Sequence, residues 1–299
     1  MLKKFENCLL GLAAGDAAGM PAEGMTREQV KKIYGWIDDL LPSPLGDLKA
    51  GEWTDDTEQA LVLAESIIET VYFDPENFAE KLKNWFLRTS CRRIGPTSYR
   101  AILNLLNGVH WSRSGVDSDT CGAAMRVAPI GLAYSFSLDL VERYAELSAI
   151  VTHRNSAAIA GAVAVALAVA CNVRGEDFGE VVERVSRYDE LMAEKIDEAL
   201  RLECDLDEAV EKLGNTISSL DVVPMAFYCF SASEDLRKTI LLAANAGGDA
   251  DSIAAIAGAL KGSASFEVPE EWLKKLKDVE RIRETAARLY ELYKRITDL

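Results

Sequence analysis

Two short acidic stretches, far apart in the sequence, carry the side chains best suited to chemistry. The first reads Thr54-Asp55-Asp56-Thr57 and stands just before an apolar helical pattern over residues 60–71. Four oxygen-bearing side chains exceed what a helix cap requires, and adjacent carboxylates repel each other unless a cation neutralises them. Oxygen ligands of this kind suit Mg²⁺ and Mn²⁺. The stretch therefore predicts one half of a metal site.

The second stretch follows a pair of glycines, Gly247 and Gly248, which let the backbone turn tightly. Asp249 and Asp251 then lie two residues apart, so that both carboxylates can point to one place. Ser252 and an Ala-rich helical pattern follow, and either Asp251 or Ser252 is expected to cap that helix. Taken alone, the stretch has two interpretations: a helix cap with a spare acid, or ligands for a hard cation.

A helical fold can bring the two helix starts face to face. The combined oxygen ligands would be Thr54, Asp55, Asp56, Asp249, Asp251 and Ser252. Four carboxylates can neutralise two divalent ions, and their formal charges outweigh the repulsion of cations by the helix dipoles. The sequence therefore predicts a centre of two divalent cations, Mg²⁺ or Mn²⁺. Because the chain has only two histidines, a histidine-rich metal hydrolase is excluded.

The first predicted helix, residues 5–19, would position a third acidic segment. It carries three glycines four residues apart on one face: Gly11, Gly15 and Gly19. An interior glycine costs a helix about 1 kcal/mol, so this face predicts the close approach of another backbone. Asp16 lies beside the glycines, and Glu23 follows the helix. These two acids either serve a cleft or are surface residues at a helix end.

Basic and aromatic residues could line such a cleft. Four arginines surround the turn at residues 95–97: Arg88, Arg92, Arg93 and Arg100. Guanidinium groups pair with phosphates in a planar, two-pronged geometry, so the cluster could bind a diphosphate. The alternative is a solvated basic face. The polar loop 108–120, which contains His110 and Trp111, could stack against a base or a ribose.

Two further polar residues stand among apolar ones. Arg126 is embedded in small residues and is expected to pair with a buried acid. His153 belongs to the segment 152–156, which is expected to cap the apolar helix 157–171. It either donates a hydrogen bond to an acid near the metals or packs as a core histidine.

Composition and charge narrow the function classes. The chain has 299 residues, is 49% hydrophobic and carries a formal charge of -15, which argues against a general nucleic-acid binder. The apolar run 157–171 is shorter than the roughly 18–20 residues of a membrane span, so we expect a core helix and no membrane partner. No signal peptide is indicated, and six scattered cysteines without a C-x-x-C pair are typical of free thiols. A cytoplasmic protein is expected.

Helical periodicity dominates the rest of the chain, and alternating strand patterns are nearly absent. Helices are predicted at residues 26–34, 77–87 and 138–150, with a buried segment at 222–231, and residues 234–244 lead into the second acidic stretch. Residues 176–213 predict two peripheral helices, residues 270–299 a long amphipathic terminal region, and residues 35–49 a loop. The prediction is an all-α fold in one compact domain over residues 1–299.

Five motifs in this order resemble the ADP-ribosylglycohydrolase family. They are Gly11-x-x-x-Gly15-Asp16-Ala17-x-Gly19-x-Pro21-x-Glu23, Thr54-Asp55-Asp56-Thr57, the segment Gly122 to Gly131, Thr152-His153, and Gly247-Gly248-Asp249-Ala250-Asp251-Ser252. The resemblance covers about residues 5–265. It implies an all-α hydrolase of ADP-ribosyl linkages on a protein or a small compound, with a binuclear Mg²⁺ or Mn²⁺ centre held by the six oxygen ligands above.

The resemblance also implies roles for individual residues. Glu23 and Asp56 would be catalytic, and Gly122, His153 and Gly248 would bind substrate. Two positions depart from the family pattern: Arg93 stands where many relatives have Asp, and Cys121 where many have Asn. Arg93 favours one alternative to hydrolysis, an ADP-ribose-binding or structural protein of the crystallin type. A further alternative is a phosphoryl-transfer enzyme, since paired metals also serve that chemistry.

Overall fold

Helices account for all the regular secondary structure that the computed structural model assigns in residues 1–89 and 93–298, the part of the chain that the structure describes. The seventeen helices there are α1 (Leu2–Gly19), α2 (Arg27–Tyr34), α3 (Asp55–Thr70), α4 (Pro75–Arg88), α5 (Pro96–Leu106), α6 (Trp111–Ser114), α7 (Ala128–Ala133), α8 (Leu138–Ile150), α9 (Ser156–Arg174), α10 (Gly179–Val185), α11 (Glu190–Arg201), α12 (Leu206–Leu213), α13 (Ser219–Ser231), α14 (Leu236–Ala244), α15 (Ala250–Ser263), α16 (Glu270–Leu273) and α17 (Val279–Thr297). The predicted all-α fold is confirmed. Arg92, one of the four arginines named above, lies outside the described ranges.

Helices α1 and α15 pack backbone against backbone along their glycine faces. A Cβ atom added to Gly15 would lie 2.0 Å from the carbonyl oxygen of Ala254, and one added to Gly11 would lie 2.3 Å from that of Gly258. The contact is reciprocal, since a Cβ on Gly258 would lie 2.1 Å from the Gly11 oxygen. The predicted close approach is confirmed. It brings the end of α1 next to the start of α15.

Helix α9 runs through the centre of the hydrophobic core. Asn155 caps its first turn by accepting from the backbone N–H of Ala157 at 3.0 Å, and Gly175 ends it in a left-handed conformation. The helix extends beyond the predicted 157–171, so it is long and apolar enough to cross a membrane by length and composition. However, 89% of that window is buried inside the fold, as in the core helix of a globular protein.

The charged segment 176–213 forms three helices, so the prediction of two is wrong. The breaks fall at Asp189 and Asp205, whose side chains cap α11 and α12 by accepting from the backbone N–H of Met192 and Glu208. Asp is common in exposed helical patterns, and charge periodicity alone does not separate a cap from a surface position.

Two other predictions need smaller corrections. The loop 108–120 contains the short helix α6, which begins after His110, and the terminal region is divided between α16 and α17. Asp278 precedes α17 in a left-handed conformation, with φ of 55°. A non-glycine residue with such a φ is uncommon, and no residue pattern around Asp278 indicated the break.

Candidate functional site

The first acidic stretch is held at the start of α3 by a buried carboxylate from α1. Asp16 is fully buried and accepts hydrogen bonds from the backbone N–H groups of Thr54 (2.9 and 3.0 Å) and Thr57 (3.0 Å). It also accepts from the Thr57 hydroxyl at 2.6 Å. Because Asp16 accepts from the N–H of Thr57 and the Thr54 hydroxyl accepts from the N–H of Asp56, the side chains of Asp55 and Asp56 do not act as caps here.

The second acidic stretch is shaped by two glycines in left-handed conformations, Gly247 (φ 71°) and Gly248 (φ 66°). A Cβ atom on Gly248 would lie 1.7 Å from the carbonyl oxygen of Asn215, which also accepts from the backbone N–H of Asp249 at 2.9 Å. Asp249 occupies the N-cap position of α15, so the expectation that Asp251 or Ser252 would cap the helix is wrong.

The Asp249 side chain makes no cap bond at this helix start. Its Oδ2 instead accepts a hydrogen bond from the Cys121 thiol, with Sγ at 2.9 Å. Burial raises the pKa of Cys121 well above its ordinary value, with the charges of Asp249 and Asp56 as lesser causes. The thiol is therefore a protonated donor that orients this carboxylate.

The two acidic stretches converge on one cavity of about 140 Å³. Of the predicted residues, eight line it: Glu23, Asp55, Asp56, Gly122, His153, Asp249, Asp251 and Ser252. Two predicted residues lie beside it. Thr54 is buried as the N-cap of α3, and Gly248 lines an adjoining groove of about 450 Å³ that shares Glu23, Ile217 and Asp249 with the cavity. The structure thus brings together five of the six predicted metal ligands.

Burial without cations makes this cluster of carboxylates electrostatically costly. Burial raises the pKa of Asp55 to about 8, with a further contribution from the charge of Asp16. Burial and then neighbouring carboxylates raise the pKa values of Asp56 and Asp251 well above the ordinary value of 3.8, and burial raises that of Asp249. Clusters of this kind are stabilised by protons or by metal ions.

Two buried oxygens support an ion-binding interpretation. Asp56 Oδ2 and Asp251 Oδ1 have no hydrogen-bond partner among the described residues. An acceptor left without a donor in the interior is costly, and a cation would satisfy both. Within residues 1–89 and 93–298, however, no three His, Cys, Asp or Glu side chains converge as a closed ligand set. The set of metal ligands therefore remains a prediction, although the oxygen donors present suit a divalent cation.

Glu23 is tied to the arginine that departs from the family pattern. Arg93 Nη1 donates to the Glu23 carboxylate, while Nε and Nη2 donate to Asp47 Oδ2 at 3.0 Å and Oδ1 at 2.9 Å. Both Glu23 and Arg93 line the cavity. Burial raises the pKa of Glu23, and the charge of Arg93 opposes that shift. Asp47 is a partner that sequence reasoning missed, since it lies in the loop 35–49 without a motif.

Arg126 acts on the site through an amide rather than through an ion pair. Its Nη1 donates to Gln59 Oε1 at 2.7 Å, and Gln59 Nε2 donates to Asp55 Oδ2 at 2.6 Å. Nη2 donates to Thr152 Oγ1 at 2.6 Å. The expected direct pairing of Arg126 with a buried acid is therefore wrong. Sequence reasoning missed Gln59, although its position four residues after Asp55 is a helical neighbour.

His153 is fully buried and neutral. Its ring nitrogens lie 2.8 Å from Thr152 Oγ1 (Nδ1) and 3.0 Å from Thr120 Oγ1 (Nε2). Burial, with the charge of Arg126, lowers its pKa to about 3. Gly122 leaves room for the ring, because a Cβ there would lie 2.9 Å from His153 Cε1. The described contacts connect His153 to hydroxyl groups, not to an acid.

Some cavity residues had no signal in the sequence, among them Ser98 and Ile217. Thr97, Thr120 and Met125 also line the cavity, and they lie in segments that the sequence singled out, namely the turn 95–97, the loop 108–120 and the motif 122–131. A larger cavity of about 610 Å³ lies elsewhere, between the start of α1 and the segment 267–283, and its lining mixes acidic and basic side chains. None of the carboxylates with strongly raised pKa values lines that larger cavity, so the smaller one is the candidate site.

The chain is similar to several known proteins over most of its length. An uncharacterized protein of Archaeoglobus fulgidus is 64% identical over 304 residues, covering 100% of both chains. The ADP-ribosylarginine hydrolase Tri1 of Serratia proteamaculans is 31% identical, covering 97% of this chain and 79% of that protein. The ADP-ribosylhydrolase ARH3 of Homo sapiens is 28% identical, covering 98% and 94%.

The fold and the family model give the same result. A solved structure of an ADP-ribosylglycohydrolase-related protein complex matches with a TM-score of 0.82 at 25% identity, covering 98% of both chains. The family model of the ADP-ribosylglycohydrolases matches residues 1–298. With that match spanning nearly the whole sequence, this chain belongs to the ADP-ribosylglycohydrolase family.

Proposed function

We propose that this protein is a hydrolase that depends on Mg²⁺ or Mn²⁺ and cleaves the glycosidic bond between an ADP-ribosyl or related ribosyl group and its acceptor. The observation that carries the proposal is the convergence of two acidic helix starts on one cavity, with Asp56 Oδ2 and Asp251 Oδ1 lacking partners among the described residues. Family membership supplies the class of reaction. The acceptor would belong to a protein or a small compound.

Six oxygen-bearing residues would hold two divalent cations. They are Thr54, Asp55, Asp56, Asp249, Asp251 and Ser252. When bound, the ions would supply positive charge that polarises the ribose hydroxyls and an attacking water. Thr54 fits least well, because its hydroxyl already accepts from the Asp56 backbone N–H at 3.5 Å and it lies outside the cavity lining.

The chain's own groups would handle the proton and the position of the sugar. Glycosidic cleavage passes through a state with positive charge on the ribose, which the cavity carboxylates favour. Glu23, whose side chain is 35% exposed, is placed to exchange a proton with water or the leaving group, and Asp56 is the second proposed catalytic acid. Gly122, neutral His153 and Gly248 would shape the walls against which the ribosyl group binds.

The test is release of ADP-ribose from a panel of ADP-ribosylated peptides and small ADP-ribosyl compounds, followed by chromatography, with Mn²⁺ added. We expect release that EDTA abolishes and Mn²⁺ restores. The matched control is Asp207→Asn, an exposed carboxylate that pairs with Lys31 and Arg27 outside the cavity and should not alter turnover. A protein that holds Mn²⁺ but turns over no member of the panel would contradict the proposal.

One observation favours a second candidate function. Arg93 already engages the Glu23 carboxylate, so the proton-exchanging group could be permanently occupied and the protein could bind ADP-ribose without cleaving it. Calorimetry with ADP-ribose separates the candidates. Tight binding without turnover would support a binding protein, and the absence of both would support a structural role.

A further inference from the structure

Arg93 is fixed in place before any substrate arrives. The Asp47 carboxylate accepts hydrogen bonds from Nε and Nη2 of Arg93 in a two-pronged pair. Ser43 Oγ also accepts from Nη2, at 2.7 Å. The Arg93 side chain is only 11% exposed. A guanidinium held on two edges by the loop 35–49 has little freedom to move away, so its remaining edge is a permanent feature of the cavity.

That remaining edge is directed at Glu23. Nη1 of Arg93 donates to the Glu23 carboxylate and, at 3.4 Å, to the carbonyl oxygen of Met20. Among the described carboxylates that line the cavity, the other four are Asp55, Asp56 and Asp251, which are buried, and Asp249, which is half-buried. All four belong to the ligands proposed for the cations. Glu23 is therefore the one lining carboxylate left to receive a cationic group of the substrate, and a guanidinium of the protein already occupies it.

We propose that Arg93 makes the site selective against guanidinium leaving groups, so that its substrates carry ADP-ribose linked through an oxygen atom. This inference rests on the proposed function and deepens it. An ADP-ribosylated arginine brings a guanidinium that needs a carboxylate partner, and it would meet Arg93 at like charge. A hydroxyl leaving group is neutral and needs only one hydrogen bond, which Glu23 can make while it is paired to Arg93.

The reaction on such a substrate is a balanced hydrolysis. The bond between the ribose C1″ atom and the leaving oxygen breaks, and the oxygen of water forms the new bond to C1″. One proton of that water is transferred to the leaving oxygen by way of the cavity acids. No oxidant or reductant is needed, and the products are ADP-ribose and a free hydroxyl group.

The test uses two peptides that differ only at the modified residue, an ADP-ribosylated serine or an ADP-ribosylated arginine. For the full-length protein with Mn²⁺, we expect kcat/KM to favour the serine peptide by at least about tenfold, which corresponds to about 1.4 kcal/mol. Arg93→Gln should lower this ratio severalfold, because kcat/KM for the arginine peptide should rise. Arg93→Lys keeps the positive charge and should preserve most of the ratio.

A matched control is Arg184→Gln. Arg184 also pairs with several carboxylates (Asp139, Glu142 and Glu180), but it lies away from the cavity, so the ratio should not change. Circular dichroism checks that each variant is folded. Calorimetry in EDTA gives the Kd of each peptide, and the ratio of the two Kd values compares the serine and arginine peptides independently of turnover.

Each outcome is decisive for one of the two proposals. Equal kcat/KM values for the two peptides with the parent protein would overturn the proposed selectivity. An Arg93→Gln variant that changes kcat/KM for both peptides by the same factor would overturn it as well. If the parent neither binds nor cleaves either peptide, the proposed function fails and the selectivity fails with it. Cleavage of the serine peptide without discrimination leaves the proposed function standing.

Discussion

Asp16 Oδ2 accepts both the backbone N–H and the hydroxyl of Thr57, at 3.0 and 2.6 Å. A single buried acid on the first helix thus fixes the helix start that carries Asp55 and Asp56. Burial raises the pKa of Asp16 to about 6, while the hydrogen bonds from Thr57 and Thr54 oppose that shift. The residue is a positioning group, because it contacts the helix start rather than the cavity.

Replacing Asp16 with Asn should loosen this helix start. The amide replaces one acceptor oxygen with an NH₂ donor, which would face the backbone N–H of Thr54 or the donors of Thr57 in the interior, donor against donor. We expect a loss of about 1–3 kcal/mol in the free energy of unfolding, measured by urea denaturation, together with weaker Mn²⁺ binding. Asp74→Asn, at the exposed cap of α4, should cost well under that. Equal losses in the two variants would refute the positioning role.

The contact between α1 and α15 predicts that Gly15→Ala is destabilising. The new Cβ would lie 2.0 Å from the Ala254 carbonyl oxygen, so the helices must separate. Overpacking of this kind costs about 1–3 kcal/mol or more, which thermal unfolding followed by circular dichroism would detect. Gly179→Ala is the control, since its Cβ meets only the Asp177 side chain at 3.1 Å. An unchanged melting temperature for Gly15→Ala would contradict the backbone-to-backbone packing of α1 on α15.

The buried carboxylates predict a pH dependence for the metal-free protein. The folded pKa of Asp55, about 8, lies above its ordinary 3.8, so the folded state holds a proton that the unfolded chain releases. Stability should therefore fall as the pH rises from 6.5 to 8, by on the order of 1 kcal/mol per pH unit. His153 opposes this trend near pH 6.5, because its folded pKa is about 3 and its ordinary value is 6.5, so that only the unfolded chain holds a proton there.

Denaturant titrations at pH 6.5 and 8 in EDTA measure this slope. Asp55→Asn should make it shallower, because the amide does not titrate, while Asp56 and Asp251, whose pKa values are also raised, keep part of the slope. Asp207→Asn should not, since hydrogen bonds from Lys31 and Arg27 hold the pKa of Asp207 below its ordinary value and outside the window. A parent protein whose stability is constant or rises over this range would contradict the assignment.

Much of the fold could be predicted from local pattern. The spacing of Gly11, Gly15 and Gly19 predicted a close backbone contact, because glycine in a helix interior is costly without one. The partner helix could not be identified, since residue pairing over such a distance leaves no local trace. Helix boundaries failed where Asp189 and Asp205 act as caps, because a cap and an exposed acid look alike in a charged segment.

The sequence was enough to identify the carboxylates of the candidate site, but it did not reveal the hydrogen bonds that hold them in place. Adjacent Asp55 and Asp56 suggested a cation because like charges rarely stand together at a buried helix start. The bond of Gln59 to Asp55 and the pair between Asp47 and Arg93 depend on side-chain directions that only the folded chain sets. Arg93 drew attention as one of four clustered arginines and as a departure from the family pattern, but its partners Asp47 and Glu23 became visible only in the folded chain.

The most direct measurement of the central claim is a calorimetric titration of the metal-free protein with Mn²⁺. We expect about two ions bound per chain by the parent protein and by Asp207→Asn, which keeps every cavity carboxylate. Asp249→Ala should abolish binding of at least one ion while circular dichroism shows the fold intact. A parent protein that binds no Mn²⁺, or an Asp249→Ala variant that binds the same number of ions as the parent, would show that the two acidic helix starts do not form the metal centre.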